Sequence, residues 1–288
     1  MLAFIKLLRP KHWIKNTFVF LPLFFAGELF SNVKLYDCIA GFIIFSLSAS
    51  AIYALNDVFD VEEDRLHPEK KYRPVASGKI GIKSAVFIST ALFFLALSLA
   101  FYIDFIFFIC ILVYVVLNLA YSFGLKNIAI LDLFIVAFGF LLRVIAGGEL
   151  SAVPVSHWLM IMVLLLSLFL VLAKRRDDLI LVENGGKAIR KASSGYNLDF
   201  VNACLTLLSS VMIVSYIMYT VSDEVQVRYE SEYLFLTCIF VIAGLMRYLQ
   251  ITMVEKKSGS PVKILYKDIF ILVVILAWVL SFYILLYA

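Results

Sequence analysis

Asn56, Asp57, Asp60 and Asp64 stand together where a long apolar run gives way to charge. At about 100° per residue, offsets of 0, 3 and 7 put the three aspartates within about 60° of one another on a helix. Three carboxylates on one face suit a hard divalent ion such as Mg2+, which keeps several waters and takes its other ligands from phosphate oxygens. Bases follow at once in Arg65, Lys70, Lys71 and Arg73, between Pro68 and Pro74 or just before them. Ammonium and guanidinium groups bind phosphate directly, so acids and bases together describe a site for a diphosphate leaving group. The bland alternative is a solvated loop whose charges cancel. It gives no reason for carboxylates to line up on the end of an apolar helix, where desolvation is costly without a bound ion.

A second cluster runs Lys174, Arg175, Arg176, Asp177, Asp178, then Glu183, Lys187, Arg190 and Lys191. Membrane anchoring alone explains the bases, while the Asp177-Asp178 pair leaves room for a second metal or phosphate half-site. A third element is Tyr121 with Lys126, a phenol and an ammonium at the end of an apolar run. Asp132 and Arg143 lie within another run, about 20° apart in angle and about 16 Å apart along a helix axis. They cannot pair directly, so Arg143 needs an acceptor on another helix, and structural pairing is the favoured reading. Of the three histidines, His12 reads as interfacial, His67 lies in the acidic loop and His157 begins an apolar run.

The elements that must position these residues are membrane helices. The 288 residues are 63% hydrophobic and only 16% charged, with a mean hydropathy of +0.99. Soluble chains carry roughly 25% charge. The apolar content falls into runs of about 20 residues, the length that crosses a hydrocarbon core. Nine spans are expected, over 13–30, 35–56, 82–101, 105–121, 128–147, 156–173, 198–221, 233–251 and 268–287. In lipid they must be helical, because no water satisfies open backbone groups and no barrel-like alternation is present. The predicted fold is all-α, a single polytopic bundle over residues 1–288.

Orientation follows from the bases. With the N-terminus inside, 22 of the 25 Lys and Arg residues fall on the inner side, leaving Lys34 and Arg228 outside and Arg143 within a span. The expectation is a cytoplasmic N-terminus, an outer C-terminus and an inner-face site in a cell inner (plasma) membrane. The start of the chain is not read as a cleavable signal, since Arg9-Pro10-Lys11 interrupts a short apolar stretch. That stretch reads instead as an interfacial segment with its bases among headgroups. A net charge of +4 spread over short loops argues against nucleic acid as a partner. Cys38, Cys110, Cys204 and Cys238 stand singly in apolar runs, so neither a zinc site nor a disulfide framework is supported.

The Asn56-Asp57-x-x-Asp60-x-x-x-Asp64 pattern with Lys70 and Arg73-Pro74 resembles the first aspartate-rich motif of the UbiA superfamily of intramembrane prenyltransferases. Tyr121 and Lys126 match that superfamily's tyrosine-to-lysine element, and its fold has nine helices. The chain departs at the second aspartate-rich motif, where it has Lys174-Arg175-Arg176-Asp177-Asp178. That departure looks like the polyprenyl-phosphate phosphoribosyltransferase branch. Further matches to the branch are Arg9-Pro10-Lys11-His12-Trp13-Ile14-Lys15-Asn16, Pro22-Leu23-Phe24, and the stretch from Gly124 through Asp132 and Arg143 to Gly148.

The resemblance implies transfer of 5-phosphoribose from phosphoribosyl pyrophosphate to a polyprenyl phosphate lipid. Asp57, Asp60 and Asp64 would then hold Mg2+, beside Asn56. Lys70, Lys71 and Arg73 would hold donor phosphates. Tyr121, Lys126, Lys174, Arg175, Arg176 and Asp177 would complete the substrate contacts. Two alternatives stay open, a UbiA-type prenyltransferase acting on an aromatic acceptor and an anionic-lipid transporter. Self-association into a homo-oligomer is compatible with either reading.

Overall fold

The computed structural model describes residues 2–66, 70–183, 195–255, 264 and 267–287. Of the residues singled out above, His67, Pro68, Lys187, Arg190 and Lys191 lie outside them. Every regular element among the described residues is helical. In chain order the α-helices are α1 (Leu2–Leu8), α2 (Leu21–Phe25), α3 (Asn32–Phe59), α4 (Val61–Leu66), α5 (Ile82–Ile103), α6 (Phe105–Phe123), α7 (Leu131–Leu150), α8 (His157–Glu183), α9 (Leu198–Val221), α10 (Asp223–Tyr229), α11 (Cys238–Leu249) and α12 (Ile269–Tyr287). A π-helical turn, Gln250–Val254, prolongs α11.

Seven of these stretches are long and apolar enough to cross a membrane: α3, α5, α6, α7, α8, α9 and Tyr233–Val254. The end of the chain adds a shorter apolar helix, Ile269–Leu285. The first expected span differs. Residues 13–30 do not form one α-helix; Pro10–Phe20 winds as a 3-10 helix and passes into the short α2. Proline stands at the start of both pieces, where a missing N–H is tolerated and φ is pre-set. The tighter winding rises about 2 Å per residue, so the two pieces together have a contour of about 30 Å.

The internal packing separates the chain into two units, Met1–Lys126 with Phe138–Val155, and Asn127–Ala137 with Ser156–Ala288. In the first unit α3 is central. It is 61% buried over its apolar window, against 17% for α5. Its buried face is a run of small residues, Ser46, Ser48, Ala49, Ser50, Ala51 and Ala54. Small side chains let neighbouring backbones approach closely, which is how membrane helices gain packing without a hydrophobic drive. Ser50 accepts from Trp13 Nε1 at 3.0 Å, Ser46 accepts from Asn16 Nδ2 at 2.9 Å, and Ser89 of α5 donates to the Ala51 carbonyl at 2.8 Å. Gly147 serves the same close approach, since a Cβ there would run into the Val19 carbonyl. Phe45, Phe107, Ile111, Tyr114, Leu142 and Ala146 fill the remaining core of this unit.

In the second unit α8 packs along α9. Leu168, Phe169, Leu172 and Ala173 of α8 meet Val201, Leu205 and Met212 of α9. Tyr248 and Ile251 close the cluster.

Candidate functional site

Helix α3 carries Asn56 and Asp57 in its last turn, then bends. Asp60 is the C-cap, at φ −92° and ψ 11°, and α4 restarts at Val61. Backbone bonds bridge the bend, from Asp60 N to Asn56 O and from Asp64 N to Asp60 O. The expected single continuous face is therefore interrupted at its middle aspartate. Asp57 and Asp64 are buried, while Asp60 turns aside and is 30% exposed.

Each carboxylate has a cation. Arg73 Nη1 lies 2.6 Å from Asp64 Oδ2 and 3.5 Å from Asp57 Oδ1. Arg9 donates to Asp57 Oδ1 as well. Lys126 Nζ pairs with Asp60 Oδ1 at 3.0 Å. Asn56 Oδ1 accepts from Ser122 Oγ at 2.6 Å, which ties the end of α3 to the end of α6. Gly124 lets the chain leave α6 at φ 151°, a conformation few L residues adopt, and so turns Lys126 back toward Asp60. Lys70 is half-buried, and Lys71 is exposed with its ammonium 5.2 Å from the Tyr72 ring. Tyr121 is half-buried near the end of α6.

Whether these residues suit a divalent ion depends on the free oxygens. Among the described residues no three His, Cys, Asp or Glu side chains gather closely enough to cage an ion by themselves. Asp57 Oδ2, however, is buried and has no hydrogen-bond partner there. A buried carboxylate oxygen left unsatisfied costs free energy, so this atom is suited to an ion that brings its other ligands with it. Hard carboxylate oxygens and an ion completed by water and phosphate match Mg2+.

Arg9, read from the sequence as a base among lipid headgroups, is instead part of the site. It sits between α1 and the 3-10 segment in the left-handed region, at φ 51° and ψ 57°, and its guanidinium stacks 5.0 Å from the Tyr53 ring. A non-glycine residue in that region is uncommon and sustained only by its surroundings. The strain places a cation on Asp57. The Arg9-Pro10 pair marks a chain break in the sequence, but nothing in it gives the sign of φ.

In the second unit the Lys174–Asp178 stretch divides by direction. Lys174 is exposed, whereas Arg175 and Arg176 are 2% and 4% exposed. Arg175 donates through Nε at 2.8 Å and Nη2 at 2.7 Å to Asp132 Oδ2, and its Nη1 lies 3.5 Å from Asp178 Oδ2. Tyr196 donates to Asp132 Oδ1 at 2.7 Å and accepts from Ile130 N. Burial, then the hydrogen bond to Asp132, pushes the Tyr196 phenol up to about 12. Arg176 donates to Asn202 Oδ1 at 2.7 Å and to the Thr252 carbonyl. Asp177 is half-buried. Both arginines thus hold α8 to its own unit. The signal was present, because positions 168, 172 and 176 continue one buried stripe at helical spacing.

Residues 17–179 match the UbiA prenyltransferase family, and the chain belongs to it. It is a helical membrane transferase of that family. It is similar to the decaprenyl-phosphate phosphoribosyltransferase of Mycolicibacterium smegmatis, 34% identical over 287 residues that cover 96% of this chain and 89% of the relative. The enzyme of the same name from Corynebacterium glutamicum is 31% identical over 279 residues, 96% of this chain and 84% of that one. Among solved structures, a UbiA homolog from Archaeoglobus fulgidus bound to DMAPP and Mg2+ shares the fold with a TM-score of 0.73, at 19% identity over 99% of both chains.

Proposed function

We propose that the chain transfers 5-phosphoribose from phosphoribosyl pyrophosphate to a polyprenyl phosphate, giving polyprenyl-phosphate 5-phosphoribose and pyrophosphate in a Mg2+-dependent reaction. The observation that carries this reading is the Asp57 carboxylate, held by Arg9 and Arg73 on one oxygen and buried without a partner on the other. Two relatives of that name, each similar over 96% of this chain, support the choice of donor.

Asp57 and Asp60, with Asp64 behind Arg73, would hold the ion, which supplies fixed positive charge at the leaving diphosphate when bound. The chain's own cations do the rest. Arg9, Arg73 and Lys126 rest on carboxylates in this structure, and they exchange those partners for phosphate oxygens as the donor arrives. Such an exchange leaves few buried charges uncompensated at any stage, which keeps the desolvation cost of a charged substrate low. Lys70 and Lys71, in the turn that leads to Arg73, would add further donors. Asn56, fixed by Ser122, holds the end of α3 in place, and Tyr121 lines the end of α6.

The attacking atom is an oxygen of the lipid phosphate, already anionic near neutral pH, so no strong base is required. Its bond to ribose C1 forms as the bond from C1 to the diphosphate oxygen breaks, and the leaving pyrophosphate carries that electron pair away. Charge grows on the diphosphate during the step, where guanidinium groups set in advance stabilise it most. Attack opposite the leaving group inverts C1. In the second unit Lys174 remains a proposed phosphate contact. Arg175, Arg176 and Asp177 are proposed to support it through their internal bonds. The distribution of bases supports a cytoplasmic N-terminus and a site on the cytoplasmic side.

The aromatic-acceptor alternative predicts a prenyl diphosphate donor. The transporter alternative predicts helices broken at mid-membrane, whereas α3 and α5 through α9 run unbroken. Purified protein given labelled phosphoribosyl pyrophosphate and polyprenyl phosphate should form labelled lipid with Mg2+ and none with a chelator. Absence of labelled lipid under both conditions overturns the proposal.

A further inference from the structure

Deeper in the first unit lies a group of hydrogen-bond donors with no anion to receive them. Arg143 is 5% exposed. It donates through Nε to Asn16 Oδ1 at 2.8 Å, through Nη1 to the Gly139 carbonyl at 2.6 Å and through Nη2 to the Tyr114 hydroxyl at 3.0 Å. The Phe45, Tyr114 and Phe140 rings lie 5.3, 4.6 and 5.5 Å from its guanidinium carbon. All of these partners are neutral. A guanidinium has five N–H donors, so two remain without an acceptor among the described residues.

Lys15 is half-buried beside Asn16, close enough to Arg143 and to Arg9 to feel the charge of each. It too has no carboxylate partner among the described residues. Tyr53 and Tyr114 are near enough to couple with Arg143 and with each other, and neither phenol proton has an acceptor there. Around this interior, Arg9 and Arg73 are matched by Asp57 and Asp64. Lys15 and Arg143 are left as two cations in excess. Buried charge of one sign, met only by neutral groups, is costly unless an anion joins it.

The place has a defined depth. Asn16 is bonded to Ser46, and Ser46 lies eleven residues before Asp57 on α3, about 16 Å along the axis. Trp13 is bonded to Ser50, seven residues before Asp57. Lys15 and Arg143 therefore sit beyond the Asp57 end, with Tyr53 at the level between. A pentose carrying diphosphate on C1 and phosphate on C5 has two anionic ends separated by its ring. The lipid acceptor brings a phosphate monoester of its own.

We propose that Lys15 and Arg143, with the Tyr53 and Tyr114 hydroxyls, form a second anion subsite that binds a phosphate monoester. This rests on the phosphoribosyl reading for its two sources, the donor 5-phosphate and the lipid headgroup. In the transfer assay, Lys15→Gln should raise KM for one of the two substrates by roughly 10- to 100-fold, the loss of one charge-assisted bond. The other KM should stay within about twofold, and the affected substrate identifies the source. Arg143→Lys should lose less than Arg143→Gln in the same KM.

A measurement that needs no turnover separates this proposal from the assigned reaction. Ribose 5-phosphate and inorganic phosphate should each raise the melting temperature of the wild type in detergent and leave that of Lys15→Gln unchanged. Should no lipid be labelled while this shift is seen, the reaction fails and the subsite stands. Equal shifts in both proteins, or both KM values unchanged in folded Lys15→Gln, overturn the subsite.

Discussion

Replacing Asp132 by Asn tests whether Arg175 holds the second unit together. The Asp132 side chain is fully buried, and the Arg175 side chain nearly so. Breaking a buried pair by removing one partner costs about 3–5 kcal/mol, because the remaining charge is left uncompensated. Asp178 Oδ2, 3.5 Å from Arg175 Nη1, retains part of the attraction and places the effect at the lower end. Tyr196 keeps its acceptor, since an Asn oxygen can replace Asp132 Oδ1. A loss of about 3 kcal/mol should lower the melting temperature by roughly 6–12 °C for a domain of this size. The assay is intrinsic-fluorescence melting in detergent, repeated for Arg175→Gln and for the double variant. The double variant should lose less than the sum of the singles by 1.5 kcal/mol or more, the signature of a direct pair. A single variant within about 1 °C of wild type, or additive losses, refutes the assignment of Arg175 to structure.

Asp57→Asn should lower kcat at least 100-fold while the protein elutes as the wild type does, since it weakens both the hold on an ion and the alignment of Arg9 and Arg73; full turnover contradicts this. Gly147→Ala should cost about 1–3 kcal/mol, because its Cβ meets the Val19 backbone and neither helix can yield cheaply; melting temperature reads it. The Tyr196 phenol has its pKa raised from 10.0 to about 12, so its contribution is fully present below pH 10 and fades as pH rises through 12. Alkaline unfolding of Tyr196→Phe should lack that component, and identical alkaline profiles would remove Tyr196 from the network.

Much of this site is legible in the amino-acid sequence. The 3.6-residue repeat brings Asp57 and Asp64 to one side, and both meet Arg73. The same repeat could not show that Asp60 would cap α3 and turn to Lys126, because a C-cap is decided by how the chain leaves the helix. The interfacial character of the stretch around Arg9 puts it among headgroups, and its left-handed backbone instead carries it to Asp57. Arg175 and Arg176 read as substrate contacts or anchoring bases, although the stripe through Leu168 and Leu172 already pointed their side of α8 inward. The first apolar run gave its length and its prolines but not its 3-10 winding. Arg143 was correctly expected to find acceptors on other elements, yet no pattern foretold that those acceptors would all be neutral.

The central claim is that the Asp57–Arg73 end of α3 acts on a phosphoribosyl donor. Its most direct test offers the purified protein polyprenyl phosphate and an aromatic acceptor with phosphoribosyl pyrophosphate and a prenyl diphosphate together, in Mg2+, and weighs the products by mass spectrometry. The account predicts a lipid heavier by one phosphoribosyl group, together with free pyrophosphate, and loss of both in Asp57→Asn. A prenylated product with no ribosylated lipid would contradict it.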